Sequence, residues 1–252
     1  MAQQRRIWLI GASTGIGHAL AVRLIDGGNR VVVSARSEEK LAALAARAPG
    51  RASAVALDVT DAEQVRDAAR QAAGILGGLD LVIVNAGTYS PNQGSGITAS
   101  DYEQVFDVNF FGTVRVLEQV LPLLTAQPGG GHIAVTASLT GYIGLPHGSP
   151  YSATKAALIS MCESLRAELA PQNVAVTVIN PGFVKTPLTD RNDFPMPFLI
   201  DAERAAAVIE RGLADRRFEI RFPWQTALAM RVLRLLPYGL YFRIAKRMVR
   251  SS

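Results

Sequence analysis

The chain has 252 residues, of which 49% are hydrophobic and 19% charged, with a formal net charge of +5 and a single cysteine. Those proportions provide ample material for a folded core and exclude extended disorder. Lone Cys162 excludes an internal disulfide and fits a reducing, cytoplasmic setting, while the apolar run Ile7–Ile10 is too short for a secretory signal and no run reaches membrane-spanning length.

Ile7–Ile10, Val31–Ser34, Ala54–Leu57, Leu81–Val84, Ile133–Thr136, Ala175–Ile179 and Phe218–Phe222 each read as a strand. Most are short continuous apolar runs, as expected of parallel strands buried on both faces. Between them apolar residues recur at helical spacing, as in Leu41, Leu44 and Ala45, or Val65, Ala68, Ala69 and Ala72. Strand and helix in alternation predict an α/β fold, a doubly wound parallel sheet with right-handed crossovers and helices on both faces. A ligand in such a sheet binds beyond the carboxyl ends of the strands, where strand order reverses. No linker divides the chain. Residues 1–222 read as the main body, and residues 223–252 as a basic, amphipathic helical extension of the same domain.

The first strand runs into Gly11-Ala12-Ser13-Thr14-Gly15-Ile16-Gly17, with a helical pattern from His18. Glycines there permit a tight turn and close approach of a pyrophosphate, and the helix N-terminus supplies free N–H groups and positive potential. The second strand ends at Val33-Ser34-Ala35-Arg36. An acid at this point binds the ribose hydroxyls of NAD, whereas a guanidinium pairs with a 2′-phosphate. Ala35 followed by Arg36 therefore favours NADP over NAD. The blander reading has Arg36 opening the next helix toward solvent.

Tyr151 and Lys155 stand four residues apart at the start of a helical run, on one helix face. A free phenol has a pKa near ~10, and a neighbouring ammonium lowers it. Such a pair suits a group that gives a proton to an alkoxide in reduction and removes it in oxidation. Ser138, at the end of the preceding strand, is a candidate donor to a substrate oxygen as negative charge develops. Asn109, a mediocre helix former in a helical segment, is explained if it holds a water or a backbone distortion near the site.

The spacing G-x-x-x-G-x-G, the triplet Asn85-Ala86-Gly87, the set Asn109, Ser138, Tyr151 and Lys155, and the run Asn180-Pro181-Gly182-Phe183-Val184-Lys185-Thr186 occur in this order. Together they resemble the short-chain dehydrogenase/reductase family, from Ile7 to about Phe222. The resemblance implies a single Rossmann-type domain that transfers a hydride between NADP(H) and a carbonyl or secondary alcohol. It implies that Tyr151 is the general acid/base, and that Lys155 contacts the nicotinamide ribose and lowers the Tyr151 pKa. Ser138 would orient the substrate carbonyl, and Asn109 would anchor a relay water with Lys155.

Cofactor contacts implied in the same way are Gly11, Ser13, Thr14, Gly15, Ile16 and Gly17 in the first loop, then Arg36. They continue with Asp58 at the adenine amino group, its neighbour Val59, and Asn85, Ala86 and Gly87, where Asn85 braces the central sheet. Pro181, Gly182, Val184 and Thr186 would meet the carboxamide end. Family members often carry a second basic residue in the glycine loop, where this chain has Thr14. A homodimer or homotetramer is implied as well. An NADP-binding regulatory protein without turnover, or an epimerase or dehydratase on the same fold, are the alternatives.

His18, His132 and His147 lack metal-ligand spacing, so no metal is expected. The segment Leu139–Pro150, with His147, is expected to line the substrate cleft. Pro187–Ile200, with Phe194, Met196, Phe198 and Leu199, is expected to form an apolar lid, which points to a hydrophobic ketone or alcohol. The tail from Phe222 carries Leu228, Val232, Leu235, Leu236, Tyr241, Phe242, Ile244, Met248 and Val249 among Arg231, Arg234, Arg243, Lys246, Arg247 and Arg250. Such a segment can pack in an oligomer interface, cover the cleft, or lie peripherally on an anionic membrane. No nucleic-acid module accompanies the charge.

Overall fold

The computed structural model describes residues 4–89, 97–191 and 195–249. Seven strands form one parallel sheet: β1 (Arg6–Ile10), β2 (Arg30–Ala35), β3 (Ala52–Ala56), β4 (Leu81–Val84), β5 (Gly131–Thr136), β6 (Val174–Pro181) and β7 (Glu219–Phe222). Their order across the sheet is β3-β2-β1-β4-β5-β6-β7. The central strands are largely apolar because alternate side chains enter two separate cores, while the edge strands β3 and β7 are partly exposed. Trp8, Ile10, Val82 and Val84 face one core, with α3 (Ala62–Leu76), α5 (Gly112–Thr125) and α6 (Ser149–Glu168). Ile7, Leu9, Leu81 and Ile83 face the other, with α1 (Gly15–Asp26), α2 (Glu38–Ala45) and α7 (Ala202–Ala214). The doubly wound fold is as expected, and Cys162 is a buried member of the first core.

Two local features depart from the sequence pattern. Helix α1 starts at Gly15, not at His18. Its third residue is glycine because a Cβ on Gly17 would stand 2.0 Å from the Gly11 carbonyl oxygen. The second departure lies between α4 (Ala99–Phe106) and α5, where Asp107–Phe111 forms a π-helical turn. A π turn carries one residue more than an α turn, a local distortion often found at functional sites.

The last two helices, α8 (Trp224–Leu235) and α9 (Tyr238–Val249), seat Ala227, Met230, Tyr241 and Ala245 on Leu139 and Ile143. The Tyr241 hydroxyl donates to the Gly144 carbonyl. Arg231 pairs with Glu219 at 3.0 Å, and Glu219 also accepts from Asn180 at 2.9 Å and from Tyr142. Burial alone would raise the Glu219 pKa, but the hydrogen bonds from Tyr142, Arg221 and Asn180 outweigh it and hold the carboxyl below its ordinary range. No helix among the described residues is long and apolar enough to cross a membrane.

His132 is buried in β5, its Nε2 2.7 Å from Thr177 Oγ1. That hydroxyl donates to the Arg217 carbonyl at 2.6 Å, so Nε2 carries the proton and donates, leaving Nδ1 without a hydrogen-bond partner among the described residues. Burial, with Arg216, Arg5 and Arg166 nearby, pushes the His132 pKa down from 6.5 to about 3. The folded protein thus binds this proton less readily than the unfolded chain. Its stability contribution is complete above pH 6.5 and is lost as pH falls toward about 3. In thermal unfolding from pH 7 to pH 4, His132→Leu should lose less stability than the native chain; parallel losses would contradict the assignment.

Candidate active site

The sheet reverses its winding between β1 and β4, and the chain just past the two strands' carboxyl ends makes a close backbone contact. A Cβ on Gly11, whose φ is +86°, would lie 2.5 Å from the Ala86 amide nitrogen. Only glycine fits there, for both its backbone angle and its space. Asn85 spans the gap, donating from Nδ2 to the Gly11 carbonyl at 3.1 Å and accepting from Thr136 Oγ1 at 3.1 Å. One side chain therefore fixes the ends of β1, β4 and β5 relative to each other.

Above these ends lies a cavity of about 760 Å³. The glycine loop contributes Gly11, Ser13, Thr14, Gly15 and Ile16 to its floor. Toward the β2 and β3 side it is lined by Ala35, Arg36, Ser37, Lys40, Asp58 and Val59, and toward β5 and β6 by Ser138, Tyr151, Lys155, Pro181 and Gly182. Ala86 and Gly87 line the middle, and Val184 and Thr186 close the far wall. A Cβ on Gly15 would come 2.8 Å from Thr186 Cγ2, so the glycine loop and the loop after β6 nearly meet. These features fit a dinucleotide. The volume lies in the ~300–1,000 Å³ range of ligand sites, glycine backbone replaces side chains where a pyrophosphate would approach, and two cations stand at one end.

Lys40 was not anticipated from the sequence. It stands in the first turn of α2, just past the Ser37 N-cap, and lines the cavity together with Arg36. Asp58 reaches the cavity with one carboxylate oxygen engaged by Thr60, at 3.0 Å from its amide and 2.9 Å from its hydroxyl. Ser37, Thr60, Gln104 and Asp107 are further lining residues that pattern reading missed.

Ser138, Tyr151 and Lys155 converge at the β5 end of the cavity. Lys155 Nζ donates to the Thr136 carbonyl at 2.9 Å and lies 5.4 Å from the centre of the Tyr151 ring. Ser138 Oγ donates to the Pro181 carbonyl at 3.3 Å and accepts from Thr140 at both its amide and hydroxyl. Asn109 stands behind them in the π turn, fully buried. Its Oδ1 accepts from the Thr88 amide at 2.7 Å, and its Nδ2 donates to the Thr88 carbonyl and to Thr154 Oγ1. Gly87 separates Asn109 from Lys155: a Cβ there would be 3.4 Å from Asn109 Oδ1 and 3.7 Å from Lys155 Nζ.

The electrostatics differ from the expectation that Lys155 depresses the Tyr151 pKa. Burial pushes the Tyr151 phenol up to about 12, only partly offset by hydrogen bonding with Ser138, while Tyr89 raises it further. Burial also drives Lys155 down to about 7, so it is only partly charged at neutral pH and pulls weakly on the phenol.

Of two expected lining segments, one does not reach this cavity and the other reaches it only at its start. Leu139 and Ile143 pack under α8 and α9, and among the described residues the cavity wall passes from Ser138 to Tyr151 without residues 139–150. In the expected lid, Phe198 and Leu199 face solvent, and Phe194 lies outside the described residues. Pro187, Leu188 and Thr189, at the start of that segment, do line the cavity.

Residues 5–194 match the family model for short chain dehydrogenases. An uncharacterised oxidoreductase from Myxococcus xanthus is 37% identical over 97% of this chain and 97% of its own. Another from Staphylococcus epidermidis is 34% identical over 81% of this chain and 89% of its own. Among solved structures, a short-chain dehydrogenase from Streptomyces avermitilis superposes with a TM-score of 0.77 at 29% identity, covering 88% of each chain. A 3-ketoacyl-(acyl-carrier-protein) reductase from Brucella melitensis, complexed with NADH, superposes at 0.80 with 25% identity, covering 89% of this chain and 99% of that one.

Asn85→Ala removes both hydrogen bonds across the strand ends. Urea unfolding should show a loss of about 1–3 kcal/mol, the cost of leaving such groups unpaired; an unchanged midpoint would show that the bridge does not brace the sheet.

Proposed function

This chain belongs to the short-chain dehydrogenase family, and from that premise we propose that it transfers a hydride between NADP(H) and a carbonyl or secondary alcohol, with Tyr151 exchanging the proton. The observation that carries the proposal is the convergence of Ser138, Tyr151 and Lys155 at one end of a cavity whose other end holds Arg36 and Lys40. When bound there, a nicotinamide supplies or accepts the hydride. In reduction, Ser138 Oγ donates a hydrogen bond to the carbonyl oxygen, and the Tyr151 hydroxyl gives its proton to that oxygen as charge develops. In oxidation the same phenolate takes the alcohol proton. Lys155, its Nζ held by the Thr136 carbonyl, would pass a proton from solvent back to the phenolate after reduction, and Asn109 fixes the π turn behind it.

The preference for NADP is supported by the absence of an acid at Ala35 and by Arg36 with Lys40 on the cavity wall. A phosphate between two cations gains charge-assisted hydrogen bonds that a ribose hydroxyl does not. Gly11 to Gly17 would hold the pyrophosphate, Asp58 and Val59 the adenine side, and Pro181 to Thr186 the carboxamide side. The substrate class is taken as hydrophobic, with Pro187 and Leu188 at the cavity wall as support. The packing of α8 and α9 on Leu139 and Ile143 supports taking residues 223–252 as an extension of the one catalytic domain.

Three measurements test this reading. Tyr151→Phe should lower kcat by about 10²–10⁴-fold while NADPH still binds; unchanged turnover would refute the role, and NADPH binding without oxidation across a broad carbonyl panel would point to a regulatory protein. Arg36→Ala with Lys40→Ala should raise the KM for NADPH roughly 10–100-fold and leave that for NADH nearly unchanged; equal losses would remove the phosphate assignment. Because burial holds Tyr151 protonated up to about 12, the oxidation rate should climb as pH rises from neutral, and the reduction rate should not. A reduction rate that climbs with pH would contradict Tyr151 as the proton donor.

A further inference from the structure

Helix α8 is apolar on two sides. Its inner face, Ala227 and Met230, packs on the loop that follows Ser138. Its outer face repeats Trp224, Leu228, Val232 and Leu235 at helical spacing, with Trp224 69% and Leu235 83% exposed. Across the short turn at Leu236–Pro237, α9 continues the pattern with Tyr238, 68% exposed, stacked on Phe242 with ring centroids 5.8 Å apart. Exposed apolar residues at this density along one segment are unusual on a soluble protein and mark a contact surface.

The charge beside this stripe is of one sign. Residues 223–252 contain six Lys and Arg residues and no acid, while the chain as a whole carries only +5. Arg231 is committed to Glu219. On α9, Arg243 and Lys246 project on the solvent side next to the row of Tyr238, Phe242 and Val249. An apolar stripe with aromatic residues and a cationic flank is the arrangement that seats a helix in the headgroup region of an anionic bilayer. A second copy of this chain is a poorer occupant, because a twofold contact through this face would set its cations against themselves.

We propose that the outer face of α8 and α9 docks on an anionic lipid surface, with Trp224, Leu228, Val232 and Leu235 entering the interface and Arg243 and Lys246 meeting the headgroups. The docked helices are those that hold Leu139 and Ile143, immediately after Ser138. A bilayer contact would therefore sit next to the cleft without involving its residues.

Vesicle co-sedimentation of the full chain tests this without substrate or cofactor, so its failure leaves the hydride-transfer reading untouched. Phosphatidylglycerol–phosphatidylcholine vesicles should pellet the protein, and pure phosphatidylcholine vesicles should do so at least tenfold less well. Salt near about 0.5 M, which shortens electrostatic range to a few Å, should release much of it. Trp224 emission should shift to the blue on binding, because the other tryptophan, Trp8, is already fully buried. The double variant Arg243→Glu, Lys246→Glu should weaken binding at least tenfold, as should Leu228→Ser with Leu235→Ser, and both should keep wild-type turnover. No pelleting with anionic vesicles would overturn the proposal, as would equal binding to neutral ones. A dimer that Leu235→Ser dissociates, together with no vesicle binding, would assign the face to a second copy.

Discussion

The closeness of β1 and β4 at their carboxyl ends governs the rest of the molecule. Gly11 lies so near Ala86 that a side chain would collide with its backbone, and Gly17 lies so near Gly11 that the third position of α1 must carry no Cβ. The amide of Asn85 then spans β1, β4 and β5. These constraints create the crevice, aim the N-terminus of α1 into it, and set the distance between its two ends. Loops after the other strands need only reach the same opening. This is why residues as distant in sequence as Ser13, Lys40, Ser138 and Thr186 share one cavity.

Within that frame the site is built against the preferences of its own ionisable groups. Burial opposes charge on both Tyr151 and Lys155, raising one pKa and lowering the other. A phenol held protonated is poised as a donor, and an amine near neutrality can take up or release a proton at little cost. The i,i+4 spacing explains why the pair shares a helix face, but not this balance, which comes from the density of β5, α6 and the π turn around it. Asn109 contributes by position: its amide closes hydrogen bonds on Thr88 and Thr154, and so locks the turn against α6.

Much of this was legible in the chain. The central strands were readable because strands covered on both faces are nearly continuous in apolar residues, and all seven occur within two residues of the expected ends. The glycine loop, the strand-end triplet and the Tyr151–Lys155 pair were readable because each carries a backbone or chemical requirement that few other residues meet. What escaped notice depended on tertiary context. The start of α1 was placed late because glycines ordinarily argue against helix, and here they answer a close approach. The π turn leaves the apolar spacing of its flanks intact. Nothing in the sequence set Lys40 apart from other lysines; the fold places it, with Arg36, on the cavity wall. The loop after Ser138 was expected in the cleft but is drawn beneath α8 and α9, whose inner apolar faces needed a partner. The amphipathic tail was apparent, whereas its two-sided character in α8 required the packing.

The central claim is that the chain moves a hydride to carbon while Tyr151 moves the proton. Incubation of the protein with NADPH carrying deuterium at the transferable C4 position, and a panel of hydrophobic ketones and aldehydes, tests it directly by mass spectrometry of the products. The account predicts deuterium on the carbinol carbon of at least one product, with the label all but absent when Tyr151 is phenylalanine. Tight binding of the labelled cofactor with no deuterium in any product, or equal labelling by the Tyr151→Phe protein, would contradict it.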